Sequence, residues 1–386
     1  MDSVKDHKGN SLLEIAGLFL KIGAISFGGP VAHIALMEDE FVRKRGWLDE
    51  EQFLDLLAVT NLVPGPNATE MAHMIGFVHA GWLGLVIAGF SFIFPAFLIS
   101  LALAWVYVQF GALPQVSSLF YGINPVVLAI VLVTTYRLGK TAIQGRLQLL
   151  LCLLVLLAAF FGVNEAIILL VAGVGGIFLF ASPTWPKMNI MLLVFPFIKL
   201  KILVQESLTW LDARLWQLTV FFFKVGALIF GSGMVLFAFI QHDVVERFGW
   251  LSQQQLIDAI TVGQMSPGPV SSSATFIGYL VSGLPGAVLA TLGIFLPSFI
   301  IVALVGPFIP RLRQSRIAQA FLKGVNAAVV ALILSISLVL FKAAIVDGWT
   351  LILMILGIVA LLRFKLDTFW LVLGGAAIGL LRYWVG

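Results

Sequence analysis

The sequence is poor in charged residues and has one cysteine, and both shortages narrow the classes of protein to which it can belong. Charged residues make up 11% of its 386 residues, whereas a soluble domain carries roughly 25%. The single thiol, Cys152, excludes an internal disulfide, and its place in an apolar run indicates a structural role rather than redox or metal chemistry. Although the net charge is +4, no basic run is long enough to indicate a nucleic-acid partner.

The motifs of enzymes and of nucleotide-driven pumps are also missing. The sequence has no Gly-x-x-x-x-Gly-Lys-Ser/Thr loop for phosphates, no nucleophile elbow and no dinucleotide-binding glycine motif at a strand–helix turn. The histidines His33, His73, His79 and His242 do not recur at a close spacing that would gather metal ligands on one helical face. We therefore predict that the protein is not an enzyme and holds no metal ion or other cofactor.

What the sequence has in abundance is apolar surface. Hydrophobic residues make up 60% of the chain and the mean hydropathy is +1.06. The runs 147–161, 167–180, 325–341 and 351–362 are apolar all round, without the polar stripe of a soluble amphipathic helix. They predict an all-α, multi-pass protein of the lipid bilayer, which we place in the cytoplasmic (inner) membrane. The first apolar segment ends without a small-residue cleavage pattern, so we interpret it as a span rather than a signal peptide.

The second half of the chain repeats the first. The segment Lys21-Ile-Gly-Ala-Ile-Ser-Phe-Gly-Gly matches Lys224-Val-Gly-Ala-Leu-Ile-Phe-Gly-Ser, and Pro-Gly-Pro recurs at the same spacing from both. After a shift of one residue the register continues to Lys140 and Lys342. Such self-similarity indicates two copies of one structural unit. We predict a first membrane repeat at 11–182, a linker at 183–214 and a second repeat at 215–386.

Each half holds five long apolar segments and one odd segment, 55–80 or 256–282, that contains Pro-Gly-Pro. The apolar run 56–63 before the first proline would give about 12 Å of helix, less than half of a hydrocarbon core of roughly 30 Å. We interpret each odd segment as a re-entrant helical hairpin with Pro-Gly-Pro at its tip. Five full spans per half would invert the second repeat, and the bias of lysine and arginine toward one set of loops agrees. The rival topology has full spans there and thirteen spans in all.

The Pro-Gly-Pro tips are the candidate substrate site. A helix that begins just after a proline leaves its first amides without partners, and its dipole adds about half a positive charge at that end. Buried at membrane depth, these groups would bind an anion. The bland alternative is a kink that only packs the helices. The predicted binding residues at the two tips are Pro64, Gly65, Pro66, Asn67, Thr69, Pro267, Gly268, Pro269, Ser271 and Ser272.

Three charged residues complete the candidate site. Lys21 and Lys224 lie within apolar segments, where they would attract an anion if they point inward, or reach the headgroups if they do not. Glu70 lies one helical turn into the helix after the first tip, at the position that Ser273 occupies in the other repeat. It could carry a coupling proton. It could equally neutralise Lys21 or lie in a solvated vestibule.

Two further features of the halves match between copies. We predict that the segments Phe27-Gly28-Gly29-Pro30 and Phe230-Gly231-Ser232-Gly233 break or kink the first helix of their repeats, with ordinary tight helix packing as the alternative. Asp55 and Asp258 occupy matching positions, and we expect them to cap the hairpins or to lie in their first turns.

The first half resembles the chromate ion transporter family, and the two-copy arrangement resembles its long-chain members. The residues that carry the resemblance are Phe27, Gly28, Gly29, Pro30, His33, Met37, Glu40, Trp47, Asn61, Leu62, Val63, Pro64, Gly65, Pro66, Asn67, Glu70, Ile75 and Gly76. The second copy departs from this pattern at Gly233, Leu236, Val270 and Ser273.

This resemblance implies efflux of an inorganic oxyanion, chromate with sulfate as a related ion, by an antiporter coupled to protons or to the membrane potential. Chromate and sulfate are both tetrahedral dianions, so the amide and hydroxyl donors at the Pro-Gly-Pro tips suit both. The alternatives are an anion channel and a sulfate transporter of the same architecture. Direction, coupling ion and oligomeric state, including a homodimer, stay open at this point.

Overall fold

The structure is a computed structural model that describes residues 12–26, 29–60, 63–111, 113–181, 213–230, 232–305, 315–364 and 366–385. Within these ranges the protein is helical and contains no strand, as predicted. All but the last two residues of the predicted linker 183–214 lie outside the described residues.

Seven helices make up the described part of the first half. They are α1 (Leu12–Ile25), α2 (Pro30–Glu38, continued by the π-helical turn Asp39–Lys44), α3 (Glu50–Thr60), α4 (Ala68–Phe110), α5 (Pro114–Ala142), α6 (Arg146–Phe160) and α7 (Glu165–Phe180).

The second half follows the same order. Its helices are α8 (Ala213–Gly226), the short α9 (Leu236–Phe239, between the 3-10 turn Gly233–Val235 and the π-helical turn Ile240–Arg247), α10 (Gln253–Met265), α11 (Ser273–Val305, preceded by the 3-10 turn Val270–Ser272), α12 (Arg316–Ala344), α13 (Gly348–Val359, followed by the π-helical turn Ala360–Phe364) and α14 (Thr368–Val385).

Four of the described helices are long and apolar enough to cross a membrane. They are the segments Ala68–Phe110, Pro114–Ala142, Val270–Leu304 and Arg316–Ala344, and each has its counterpart in the other half. Four shorter apolar helices accompany them, and many of their large hydrophobic side chains are exposed, as lipid-facing residues would be. The fold is therefore that of a multi-pass helical membrane protein.

The first apolar segment of each half is interrupted, as the sequence predicted. Helix α1 ends at Ile25 and α2 begins at Pro30, after Gly29 with a positive φ of 80°. In the second half α8 ends at Gly226, and the chain becomes helical again at Gly233. Proline at the first helical position fits, because the amide that it lacks would have no partner there.

Helix α4 folds back on itself shortly after the first tip. Ala80 and Gly81 leave helical geometry, and Gly81 has a φ of 61° that favours glycine. In a straight helix Gly76 and Gly84 would lie about 12 Å apart. Here a β-carbon on Gly76 would fall 2.3 Å from the Gly84 carbonyl oxygen, so the two parts of the helix lie side by side. Gly283 repeats this turn in α11 with a φ of 62°.

The two halves are interlocked through their last helices. Helix α7 packs on α12, where a β-carbon on Gly176 would lie 2.5 Å from the Ala320 carbonyl oxygen. Helix α14 packs on α5 in the matching way, because a β-carbon on Gly379 would lie 2.2 Å from the Ser118 oxygen. Glycine at these contacts lets the helix backbones approach closely. The last helix of each repeat thus belongs to the packing of the other repeat.

Candidate functional site

Each Pro-Gly-Pro tip reaches the helix break of the opposite repeat. The Gly65 amide donates to the Ile229 carbonyl oxygen at 2.6 Å, and the Gly268 amide donates to the Ser26 carbonyl oxygen at 2.9 Å. Ser26 and Ile229 are matching residues of the two copies. Both tip glycines have positive φ angles, 147° and 89°, which a side chain would strain. The flanking prolines Pro64, Pro66, Pro267 and Pro269 have no amide hydrogen to donate. The two tips and the two breaks therefore meet between the repeats.

Three buried hydroxyl groups stand just beyond the tips without a hydrogen-bond partner in the described part of the protein. They belong to Thr69, Ser271 and Ser272, each at most 1% exposed. Thr69 and Ser272 hold matching positions in the two repeats. Burying a hydroxyl without a partner costs about 1–3 kcal/mol, so such groups indicate a ligand or water. Asn67, at the start of α4, has a φ of 35° and is 9% exposed.

The first tip also carries a buried carboxyl group. Glu70 is fully buried, and its Oε1 accepts a hydrogen bond of 2.6 Å from the Ser298 hydroxyl of α11. The carboxyl lies against the tip itself, because a β-carbon on Gly65 would fall 1.7 Å from Glu70 Oε1. The Ser298 hydroxyl also lies 3.1 Å from His73 Nδ1. Neither Ser298 nor His73 was predicted as a site residue, because nothing in their helical sequence context distinguishes them from their neighbours.

The second tip has hydroxyl groups where the first has the carboxyl. Ser273, the counterpart of Glu70, donates its hydroxyl to the Val270 carbonyl oxygen at 2.8 Å, within its own turn. The Ser271 hydroxyl faces Gly233, where an added β-carbon would lie at an ordinary contact distance of 3.4 Å. His33 donates from Nε2 to the Ser26 oxygen at 3.1 Å, which is also the acceptor for the Gly268 amide. A histidine thus stands beside this tip.

The two lysines lie beside acidic residues of the π-helical turns. Lys224 forms an ion pair of 2.8 Å with Asp243, whose side chain is 2% exposed. Lys21 is exposed and close to Glu40, the counterpart of Asp243. The pKa of Glu40 is lowered chiefly by its hydrogen bond with Arg45, and the charge of Lys21 contributes. No described hydrogen bond or ion pair brings either lysine to a tip.

The expectation that Asp258 caps its hairpin was wrong. Helix α10 begins at Gln253 and is capped by Ser252, which puts Asp258 beyond the first turn. The carboxyl is buried and accepts hydrogen bonds from Tyr107 at 2.8 Å and from Asn124 at 3.2 Å. These two donors belong to the first repeat, so Asp258 ties the second hairpin to α4 and α5. These partners could not be predicted from the sequence, because they are remote from Asp258 along the chain.

Buried polar groups where interrupted helices of two similar repeats meet are typical of one class of protein, the polytopic membrane transporters. The sequence model of the Chromate transporter family matches residues 13–179 and 216–380, one copy in each half. The chain therefore belongs to the chromate transporter family, whose members are ion transporters. Its curated relatives are named as transport proteins rather than as enzymes.

Three curated proteins show the extent of the similarity. The chain is 36% identical over 382 residues to the chromate transport protein of Cupriavidus metallidurans, covering 97% of this chain and 94% of that protein. It is 33% identical to the probable chromate transport protein of Synechococcus elongatus, covering 92% and 90%. For the chromate transport protein of Pseudomonas aeruginosa the identity is 30%, covering 82% and 77%. No solved structure matches the chain.

Proposed function

We propose that the protein is a secondary active transporter that carries an inorganic oxyanion out of the cell across the cytoplasmic membrane. Chromate is the proposed substrate and sulfate a related one, because two of the similar proteins are chromate transport proteins by name. Transport proceeds by alternating access, with the two repeats moving against each other around the tips. The buried, unpartnered hydroxyls of Thr69, Ser271 and Ser272 are the observation that carries this proposal.

Within this site the oxyanion is held at the second tip. Ser271 and Ser272 offer two hydroxyl donors at the start of α11, beside the amides and the positive dipole end of that helix. At the first tip a dianion would meet the carboxyl of Glu70 against Gly65, and the two would repel each other whenever Glu70 is ionised. The lysines Lys21 and Lys224 then act outside the site, because each has an acidic neighbour.

Glu70 is the proposed coupling group. An ionised carboxylate buried with one neutral hydrogen bond is strongly disfavoured, so the closed state favours the neutral, protonated form. Opening of the site to one side would let the proton leave and the carboxylate become hydrated. A proton carried inward by Glu70 could thus drive an oxyanion outward, which is antiport.

The proposed topology has inverted repeats, each with five spans and a re-entrant hairpin. The hairpin arms support it, since α3 and the part of α4 before Gly81 are each too short to cross the roughly 30 Å core. A reporter fused after Gly386 is expected to lie outside, and one inserted after Pro186 inside. The measurement is accessibility of both reporters in intact cells, with a reporter at a cytosolic protein as control. Location of both on one side would contradict the inversion.

Chromate uptake into everted membrane vesicles tests the transport proposal itself. Efflux from the cell becomes uptake in such vesicles, so we expect saturable accumulation of radiolabelled chromate that an excess of cold sulfate reduces. Vesicles without the protein are the control. An uptake that rises without saturation would indicate a channel, and absence of uptake by well-folded protein would exclude chromate as the substrate.

A further inference from the structure

The carboxyl of Glu70 is one end of a chain of three hydrogen-bonding groups. Ser298 Oγ lies 2.6 Å from Glu70 Oε1 on one side and 3.1 Å from His73 Nδ1 on the other. All three side chains are at most 1% exposed. The outer atoms of the chain, Glu70 Oε2 and His73 Nε2, are buried and have no hydrogen-bond partner in the described part of the protein. Hydrogen bonds thus link the three side chains, whereas the two outer atoms have no partner among the described residues.

Such a chain can pass a proton. When Glu70 is protonated on Oε1, the direction of its hydrogen bond with Ser298 reverses: the carboxyl O–H donates to Ser298 Oγ. The serine hydroxyl then donates to His73 Nδ1, and the imidazole proton is on Nε2. A concerted shift moves the carboxyl proton to Ser298 and the serine proton to His73 Nδ1. Glu70 is left ionised with Ser298 donating to it. The imidazole, now protonated on both nitrogens, passes its Nε2 proton to water once a movement of the repeats hydrates that side of the ring. One proton enters at Glu70 and one leaves at His73, so the charges balance.

The surroundings of the imidazole contain no competing titratable group among the described contacts. Its ring packs on Phe299 at a centroid distance of 4.0 Å. On another side it lies against Gly89, where an added β-carbon would fall 2.1 Å from Nε2. Within the described residues Glu70 is the titratable group that faces it, through Ser298. The apolar wall leaves proton exchange with Ser298 as the available chemistry of Nδ1.

The bridge joins the two repeats. Glu70 and His73 belong to α4, whereas Ser298 belongs to α11 of the second repeat, where the matching residue of the first repeat is Ala96. A movement of one repeat against the other would therefore open the chain. A second hydroxyl bridge of this kind, Ser100 to Ser266 at 3.0 Å, joins α4 to the chain just after α10 and involves no titratable group.

We propose that Glu70, Ser298 and His73 form a proton relay that is connected only while the repeats are closed around the tips. Ser298 and His73 are the residues that move the coupling proton on from Glu70. This relay rests on the proposed function, because it needs an oxyanion transporter that is coupled to protons.

Purified protein in liposomes separates the relay from transport itself. Exchange of labelled chromate for unlabelled chromate at equal pH on both sides needs the site but no net proton movement. Accumulation against a chromate gradient under an imposed pH difference needs both the oxyanion site and net proton movement. Ser298→Ala and His73→Asn are expected to keep exchange near the wild-type rate and to slow pH-driven accumulation by about a hundredfold, the typical contribution of a positioned proton-transfer group. Asparagine can still bond Ser298 through its amide, but it cannot titrate.

Two hydroxyl variants serve as controls. Ser298→Thr keeps the bridging hydroxyl and should retain pH-driven accumulation, and Ser100→Ala removes the neutral bridge and should retain both activities. Equal loss of exchange and accumulation in His73→Asn would mean a structural role, and unchanged accumulation in His73→Asn would also overturn the relay. Should Ser298→Ala fail to fold, His73→Asn and Ser298→Thr carry the test. Wild-type exchange without any response to pH would overturn the relay alone, whereas no exchange at all would overturn the proposed function.

Discussion

Replacement of Ser271 and Ser272 together by alanine is expected to abolish high-affinity oxyanion transport while leaving the protein folded. A hydrogen bond to a charged group contributes about 1.5–3 kcal/mol, and each 1.4 kcal/mol is a factor of about ten. Loss of two such bonds should raise the half-saturation concentration for chromate by a hundredfold or more. Neither hydroxyl has a hydrogen-bond partner among the described residues, so their removal should leave the melting temperature of the substrate-free protein unchanged or raised. Vesicle uptake and thermal unfolding in detergent measure the two effects.

Ser273 provides the matched control. Its hydroxyl is adjacent in sequence and equally buried, but it donates to the Val270 carbonyl oxygen within its own turn. Ser273→Ala should therefore retain the affinity for chromate. The assignment of Ser271 and Ser272 to the oxyanion site would be wrong if the double variant transports chromate with wild-type affinity. It would also be wrong if the variant loses activity only because the protein unfolds.

Local patterns in the sequence were enough for several features of the fold. The helical class follows from the apolar runs, and the helix break before Pro30 follows from the glycines and the proline, because both act on their own neighbours. The start of a helix shortly after each Pro-Gly-Pro was predictable for the same reason, since a proline leaves the amides after it without a helical partner. The matching spacing of the two copies showed that each of these features occurs twice.

Contacts between the repeats could not be predicted from the sequence. Ser298 reaches Glu70 and His73 from the other half of the chain, and nothing in an apolar helix distinguishes this serine from its neighbours. The lysines were a similar case. A lysine in an apolar segment could face a substrate or a carboxylate, and the partner of Lys224 is the acidic residue of a π-helical turn that is buried by tertiary packing.

In the proposed mechanism the two tips have different tasks. The repeats share their helix order, their backbone turns and the hydrogen bonds between tip and break. They differ where Glu70 faces the first tip and Ser273 bonds its own turn at the second. A symmetric protein would present the same groups to both sides, whereas this one has a buried carboxyl group at one tip and, at the other, hydroxyls without a hydrogen-bond partner among the described residues. Separate places for the proton and the oxyanion are what an antiporter needs, because binding of the one should favour release of the other.

The contact between the repeats can be tested at two pairs of adjacent glycines. A β-carbon on Gly176 would lie 2.5 Å from the Ala320 carbonyl oxygen, and one on Gly375 would lie 2.7 Å from the Gly122 oxygen. A β-carbon on Gly175 or Gly374, one residue before each, would have no described atom within 4 Å. Overpacking a close helix contact costs about 1–3 kcal/mol, and a rigid backbone cannot move aside as a side chain can.

We expect Gly176→Val and Gly375→Val to lower the apparent melting temperature and the yield of monodisperse protein, with Gly175→Val and Gly374→Val close to wild type. Size-exclusion chromatography of heated detergent extracts measures both quantities. The two damaging variants should be about equally harmful, because each glycine is pressed against a carbonyl oxygen of the opposite repeat. A loss confined to Gly176→Val would mean that α14 is not anchored on α5 as α7 is on α12. Equal stability of all four variants would place the last helices away from the opposite repeats, and the exchange of helices between the halves would then be wrong.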